Sequence, residues 1–341
     1  MQRLTLALDA MGGDSGPPVV VPAAKQALEN YPYLTLRLIG DREQLIPLIH
    51  HYHLEDETRL SIVHTVQMIA PEDKPLKILR TRRNSSMGLS LQMVADGEAD
   101  ACVSAGHTGA LVALSHAILK VLPGIERPAL VSSIPNRRGR QTLMLDLGAN
   151  STCSSHLLHQ FALMGMVLVQ TLWHINNPKI ALLNIGSESI KGNDAIRQAG
   201  RLLTQTSSLN YQGFIEGNQI FDGDVDVIVS DGFSGNIALK TAEGTAEFLL
   251  YSFRKMLPQS PLKRFIMTWL MPNFQRQLSQ LTPQKHNGAC MLGLRGVVIK
   301  SHGRADSEAF FQAISEALVQ SQLNIPQLIG QQIPKFLSEI G

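Results

Sequence analysis

Cysteine is scarce. Three occur in 341 residues, Cys102, Cys153 and Cys290. Their number is odd, they lie far apart, and no CxxC or Cys/His pair at zinc spacing is present, which argues against a disulfide framework or structural zinc. Reduced thiols of this kind suit the cytoplasm. Long hydrophobic runs are also missing. No stretch approaches the ~20 apolar residues that span a bilayer, and the opening Met1–Asp9 is too short and too soon acidic for a signal peptide. Nucleotide fingerprints are absent: Gly12-Gly13-Asp14-Ser15-Gly16 is not GxGxxG, and no GxxxxGK[ST] occurs. Neither NAD nor ATP is indicated. Without a GxSxG elbow, and with Cys102 and Cys153 in apolar or small surroundings, no covalent nucleophile is suggested. Asp9, Asp146 and Asp231 are scattered over loops rather than clustered for a divalent metal. The expectation is an enzyme with no cofactor and no metal.

Acidic residues vanish from one region. Between Glu247 and Asp306 there is none, while Arg254, Lys255, Lys263, Arg264, Arg276, Lys285, Arg295, Lys300 and Arg304 fall there. Within it, Phe265 and Trp269 share a helix face at i,i+4, as do Ile266 and Leu270. Residues 254–282 therefore read as a basic, apolar helical segment. Two readings stay open: a peripheral contact with anionic lipid, or a dimer contact. A basic surface of this kind also suits an acidic carrier protein. The overall net charge of +2 and the lack of an aromatic-interleaved motif argue against a nucleic-acid partner.

What is present is ordinary globular composition, 44% hydrophobic and 17% charged. Short aliphatic runs at 4–9, 34–39, 60–63, 101–104, 130–134, 143–147, 180–185, 213–216, 225–230 and 297–300 read as strands. Between them lie segments with apolar spacing near 3.6, among them 19–30, 109–121, 155–173 and 238–256. This alternation predicts an α/β fold, a largely parallel sheet covered on both faces. With no repeat or linker, residues 1–341 read as a single catalytic domain.

Five of these strands run into loops built from Gly with Asp, Asn or Ser, each followed by a helical pattern: 9–17, 104–109, 146–150, 184–188 and 230–236. Carboxyl ends of strands in open α/β sheets form binding crevices, and helix starts there favour anions. Five such loops at one sheet edge would make a phosphate-binding floor. Three cations sit near them: Lys191, Lys240, one helical turn past Asn236, and Lys300, which leads into Ser301-His302-Gly303. Each suits neutralisation of phosphate or of a developing oxyanion.

In their order these loops resemble the bacterial phosphate acyltransferase family, PlsX. The stretches that carry the resemblance run from 8–14 (Leu-Asp-Ala-Met-Gly-Gly-Asp) through 85–87, 104–111 (Ser-Ala-Gly-His-Thr-Gly-Ala-Leu), 124–129 and 146–150 (Asp-Leu-Gly-Ala-Asn). They continue through 184–186, 191–192, 231–236 (Asp-Gly-Phe-Ser-Gly-Asn), 287–290, 292–296 and 299–303 (Ile-Lys-Ser-His-Gly). Nearly the whole chain is covered. The resemblance implies a three-layer α/β/α fold with a large, mostly parallel mixed sheet, similar to isocitrate dehydrogenases and phosphotransacetylases, in a homodimer. It implies transfer of a long-chain fatty acyl group from acyl carrier protein to inorganic phosphate. The acyl phosphate would serve a glycerol-3-phosphate acyltransferase in phospholipid synthesis, in the cytoplasm or on the membrane's cytoplasmic face. Three positions depart from the family's pattern: His107 stands where Asn is usual, Thr152 where an acid is usual, and Ser187 where Glu is frequent.

Phosphate is itself a nucleophile and a thiol of pKa ~8.5 leaves easily, so the site must chiefly supply positioning and charge stabilisation. Asn150, Lys191, His302 and Asp231 are the expected catalytic group. Asp9, Gly12, Gly13, His107, Thr108, Gly232, Ser234, Gly235, Asn236 and Lys240 are the expected phosphate- and substrate-binding group. Two rival readings remain: a coenzyme A-dependent phosphotransacetylase, and a phosphate- or lipid-sensing module with no turnover.

Overall fold

A computed structural model describes residues 3–70, 73, 75–256 and 288–337. Most of the basic segment 254–282, from residue 257 onward, lies outside the described residues. Eleven strands join in one sheet in the order β3-β2-β1-β4-β11-β10-β5-β6-β9-β7-β8. They are β1 Leu4–Asp9, β2 Leu34–Gly40, β3 Leu60–His64, β4 Ala101–Ser104, β5 Ala129–Pro135, β6 Gln141–Leu145, β7 Lys179–Leu183, β8 Asn210–Ile215, β9 Val227–Val229, β10 Ala289–Leu292 and β11 Val297–Lys300. Ten correspond to the runs read from the sequence. β10 does not: four residues with no β-branched side chain are too weak a local signal, and of its two partners β5 lies far away in the chain.

Helices cover both faces. One layer holds α1 Pro17–Asn30, α2 Arg42–His51, α6 Ser155–Trp173, α7 Asp194–Gln205, α9 Ser307–Gln322 and α10 Ile325–Leu337. Their apolar stripes meet Leu6, Leu8, Val103, Leu145, Val229 and Ile299 in the main core. The opposite layer holds α3 Pro75–Thr81, α4 Ser86–Ala95, α5 Thr108–Leu119 and α8 Gly232–Met256, packed on the alternate residues Cys102 and Val298 and Met144, Ala181 and Ile228. The period of two along each strand is what splits these sets between faces. Strands buried on both faces need continuous apolar runs, which these have. No described helix is long and apolar enough to cross a membrane.

One expectation is corrected here. β10 pairs antiparallel with both β11 and β5, and β5 pairs antiparallel with β6, while the other neighbours are parallel. Consequently β6, β9 and β7 run opposite to β1, β4 and β11. The five glycine-bearing loops therefore do not share one edge. Those after β1 and β4 sit on one edge with the β11 loop; those after β6, β7 and β9 sit on the other. Strand order and polarity are set by long-range pairing, which local alternation does not encode.

Candidate active site

The first edge is built from one row of three strands. Asp9 aligns with Ser104, and Ser104 aligns with Lys300, so acid, hydroxyl and ammonium end adjacent parallel strands on the same face. All three are buried. Ser104 Oγ donates to Asp9 Oδ2 at 2.6 Å and accepts from Gly106 N at 3.1 Å. Asp9 Oδ1 has no hydrogen bond of its own, although the Ser86 hydroxyl and the Met11 and Gly12 N–H groups lie near enough to favour its charged form. Burial outweighs them and holds the carboxyl above its ordinary range.

Above this row three loops meet. Gly13, at φ +85°, presents a position where a Cβ would stand 2.9 Å from Ala105 Cβ and 3.1 Å from Gly303 O. Only glycine suits both the left-handed backbone and the contact. Asp14 N donates to Gly303 O at 2.9 Å, which joins the β1 loop to the β11 loop. Gly12 is equally confined: a Cβ there would stand 2.6 Å from Asp9 Oδ2 and 2.8 Å from Gly106 N. His107 caps α5, its Nδ1 accepting from Ala110 N at 3.4 Å, and Thr108 is the first residue of that helix. Capping is work that Asn does well, so the departure at 107 keeps the same local function.

Cations converge on this junction. Lys300 Nζ donates to the carbonyl oxygens of Ala105, at 3.3 Å, and Ser301. Burial, then the neighbouring Lys240, bring its pKa down from 10.5 to about 8, against the pull of Asp9 and Asp14. Helix α8 starts at the opposite edge and carries Lys240 across the sheet face to the end of β11. There Lys240 Nζ lies 2.6 Å from Glu243 Oε2 and 3.2 Å from His302 Nε2. Arg304 N donates to His302 Nδ1 at 3.2 Å, and the Lys240 ammonium, which can only donate, stands against the ring's other nitrogen. Burial first and Lys240 second keep His302 below the ordinary imidazole range. The imidazole and the ammonium thus lie side by side, with Glu243 as their shared carboxylate. An incoming oxyanion would accept from both.

Lys300 makes a stability prediction. Between about pH 8 and 10.5 the unfolded chain holds a proton that the folded chain has released, so this group's contribution to stability rises with pH through that window and is lowest below it. Denaturant titrations at several pH values are expected to show this rise in the parent protein, flattened in Lys300→Met. Equal slopes in the two proteins would refute the assignment.

The second edge has a different character. Asp146 is fully buried; its Oδ1 accepts from Leu130 N, Gly148 N and Ala149 N at 2.9 to 3.1 Å, and its Oδ2 from Asn150 N and Nδ2 at 2.7 and 2.8 Å. Asn150 Nδ2 also donates to Pro128 O at 2.8 Å. Both amide hydrogens of Asn150 are committed, so in this geometry it offers no donor to an oxyanion. Asp231 caps α8, taking Ser234 N at 2.7 Å and Ser234 Oγ at 3.2 Å, and Gly232 N donates to Asn150 O at 2.8 Å. The glycines here answer to packing: a Cβ at Gly235 would stand 2.0 Å from Asp146 O, and one at Gly232 2.6 Å from Asn150 O. Asn236 lies over Gly148. This loop fixes where α8 begins, and hence where Lys240 arrives.

Lys191 belongs to neither cluster. It is exposed on the β7 loop, folded with Glu188 over Gly186. Among the expected residues the structure therefore brings together Asp9, Gly12, Gly13, His107, Thr108, Lys240 and His302. Asn150, Asp231, Gly232, Ser234, Gly235 and Asn236 form the second cluster. Ser104 and Glu243 were not singled out from the sequence, and Lys300 was noted but not chosen. A lysine closing the apolar run Val297-Val298-Ile299 was the available signal; nothing local marked Glu243. No thiol substitutes for these groups as nucleophile: burial raises Cys102 and Cys290, and pushes Cys153 up to about 12. No group of three or more metal-ligating side chains occurs among the described residues.

Comparison with known proteins gives the family. The sequence model of the fatty acid synthesis protein family matches residues 4–328. A phosphate acyltransferase from Shewanella loihica is 48% identical over the full length of both chains, and one from Shewanella sp. strain MR-4 is 47% identical over the same span. The chain belongs to the phosphate acyltransferase family, PlsX. It is an acyltransferase. Among solved structures, a phosphotransacetylase from Streptococcus pyogenes superposes with a TM-score of 0.63 at 17% identity, covering 94% of each chain. A branched-chain phosphotransacylase from Enterococcus faecalis gives 0.56 at 16% identity, covering 93% of this chain and 99% of that one. These two share the fold, the three-layer α/β/α architecture with a large mixed sheet.

Proposed function

We propose that this acyltransferase moves a long-chain fatty acyl group from acyl carrier protein to inorganic phosphate at the junction of the β1, β4 and β11 loops. The observation that carries the reading is the meeting there of Lys240, His302 and Lys300 with no activated thiol nearby. Such a site suits a dianionic nucleophile that attacks directly. Monohydrogen phosphate adds through one oxygen to the thioester carbonyl, the carbon–sulfur bond breaks, and the phosphate proton goes to the thiolate. The products are acyl phosphate and the free thiol of the carrier. His302 and Lys240 hold the phosphate and the developing oxyanion. Lys300 sets the positive potential beneath them, and Asp9 and Ser104 fix the β1 and β4 loops. Asn150 and Asp231 act through the placement of α8. Lys191, exposed on the opposite edge, takes no part in holding phosphate.

The positive surface suits an acidic carrier protein. The same reading places the acyl phosphate upstream of glycerol-3-phosphate acylation, and includes a homodimer and peripheral contact with the membrane through residues 254–282. The test is release of free thiol from a hexadecanoyl carrier protein, with and without phosphate. Phosphate-dependent release with acyl phosphate formed is the expected result. Release from acetyl coenzyme A alone would make the protein a phosphotransacetylase instead. Release from neither would leave a binding module.

A further inference from the structure

The acids around the junction of the β1, β4 and β11 loops differ in what they can reach. Asp9 lies beneath the loops: a Cβ at Gly12 would stand 2.6 Å from its Oδ2, and the Ser104 hydroxyl donates to that oxygen. Asp306 is spent on capping α9, accepting from Ala309 N at 2.8 Å. Asp14 is 68% exposed and turned to Arg304, its Oδ2 lying 3.9 Å from Nε.

Glu243 stands with the groups assigned to phosphate. It follows Lys240 by three residues on α8 and so shares its side of the helix. Its Oε2 lies 2.6 Å from Lys240 Nζ and 3.9 Å from His302 Nε2. It is the least exposed of this trio, at 23% against 49% for Lys240 and 47% for His302. Its other oxygen, Oε1, takes no hydrogen bond among the described residues.

A carboxylate is out of place in a site that reads negative charge alone, because it repels the dianion that Lys240 attracts. It has a use where the anion brings a proton. An ionised carboxylate only accepts hydrogen bonds. Monohydrogen phosphate has one O–H to offer it; sulfate, a tetrahedral dianion of similar size, has none. A site built to bond a substrate hydroxyl strongly rejects an isostere that lacks it, since its own polar group is then left unpaired. Facing sulfate, the Glu243 carboxylate would meet a second anion with no hydrogen between them, a repulsive element that sharpens the choice.

We propose that Glu243 selects phosphate over sulfate, accepting a hydrogen bond from the phosphate O–H while Lys240 and His302 hold the unprotonated oxygens. This rests on the functional reading above and adds to it the choice of anion. The same hydrogen bond turns the protonated oxygen toward α8 and leaves an unprotonated one to attack the thioester carbon. Glu243 also steadies the Lys240 ammonium, and the two roles separate cleanly. Loss of that support weakens every dianion alike, whereas loss of the acceptor changes the ratio of one anion to the other.

The experiment measures how sulfate and arsenate displace labelled phosphate in equilibrium dialysis of the full-length protein, at a mildly alkaline pH where monohydrogen phosphate predominates. Sulfate inhibition of thiol release from a hexadecanoyl carrier protein is the second readout. Arsenate carries a proton as phosphate does, so the parent is expected to admit arsenate and reject sulfate. Glu243→Gln keeps the side chain's size and offers sulfate an N–H donor. It is expected to lower the preference for phosphate over sulfate about 10- to 100-fold, the worth of one hydrogen bond to a charged group, with Tm nearly unchanged. Glu243→Asp is expected to keep part of the preference. An unchanged preference in Glu243→Gln, or equal weakening of both anions, overturns the proposal. A parent that takes sulfate as readily as arsenate overturns it too, as does a preference lost in Asp14→Asn and kept in Glu243→Gln. Absence of acyl phosphate with the parent would sink the functional reading instead, and the dialysis would still decide what Glu243 selects. A parent that holds no labelled phosphate overturns both.

Discussion

Asp146→Ala is expected to destabilise the protein by about 4 kcal/mol, a fall in Tm of roughly 10 °C. The carboxylate accepts from four backbone N–H groups, those of Leu130, Gly148, Ala149 and Asn150, and from the Asn150 amide. Each buried donor left without an acceptor costs about 1 to 3 kcal/mol, partly relieved by relaxation and water. The loop it organises also abuts the start of α8 through Gly232 and Gly235. Loss of Asp146 therefore loosens the helix that delivers Lys240 to the other edge of the sheet. Thermal unfolding followed by circular dichroism measures the first effect. Phosphate KM, measured below the new Tm, measures the second, and is expected to rise. A stable protein with only a lower kcat would instead place Asp146 in the chemistry.

His302→Ala and Lys240→Met are expected to separate from that behaviour. Both residues are about half exposed, so folding depends on them little. Removing one preorganised donor to an oxyanion costs about 10²–10³ in kcat, and that is the loss expected for His302→Ala, with Tm nearly unchanged. Lys240→Met removes the ammonium that faces His302 Nε2 at 3.2 Å. It is expected to raise the phosphate KM as well as lower kcat. With Lys240 gone, one of the groups that holds His302 below its ordinary range is also gone. The acidic limb of the pH–rate profile is then expected to move to higher pH, since His302 takes up its proton more readily. Steady-state kinetics against pH at fixed thioester checks all three statements. Full turnover in His302→Ala would overturn the proposed site.

Much of this was legible along the chain. Ten of the strands described were readable from short aliphatic runs, because strands buried on both faces need continuous apolar residues. Ser155–Trp173 was readable to the residue from its apolar spacing. The glycine-bearing loops were readable as well, since turns that approach other backbone atoms exclude a Cβ. The acid-free region from 248 to 305 and the lack of nucleotide fingerprints were properties of composition alone. Sequence by itself thus determined the α/β class, the loops that carry polar chemistry, and membership of the phosphate acyltransferase family.

Only the tertiary structure decided which of those loops meet. The antiparallel strand β10 and the β5–β6 pair reverse the sheet's direction, separating Asp146, Asn150 and Asp231 from Asp9, Ser104 and Lys300. No local pattern encodes that reversal, because the two halves of the sheet are joined by β10 pairing with β5, residues such as Cys290 and Val131 that lie far apart in the chain. The same holds for Glu243 and Lys240. On the sequence they are an ordinary i,i+3 pair, and they become part of a site because α8 crosses the sheet face and sets them beside His302. Asn150 shows the converse. Its type and its place in a motif suggested a donor to substrate, whereas its hydrogens are already held by Asp146 and Pro128. Residue identity gives a group's capacity to donate, accept or carry charge; only the fold shows which of those capacities remain unused and point to the same place.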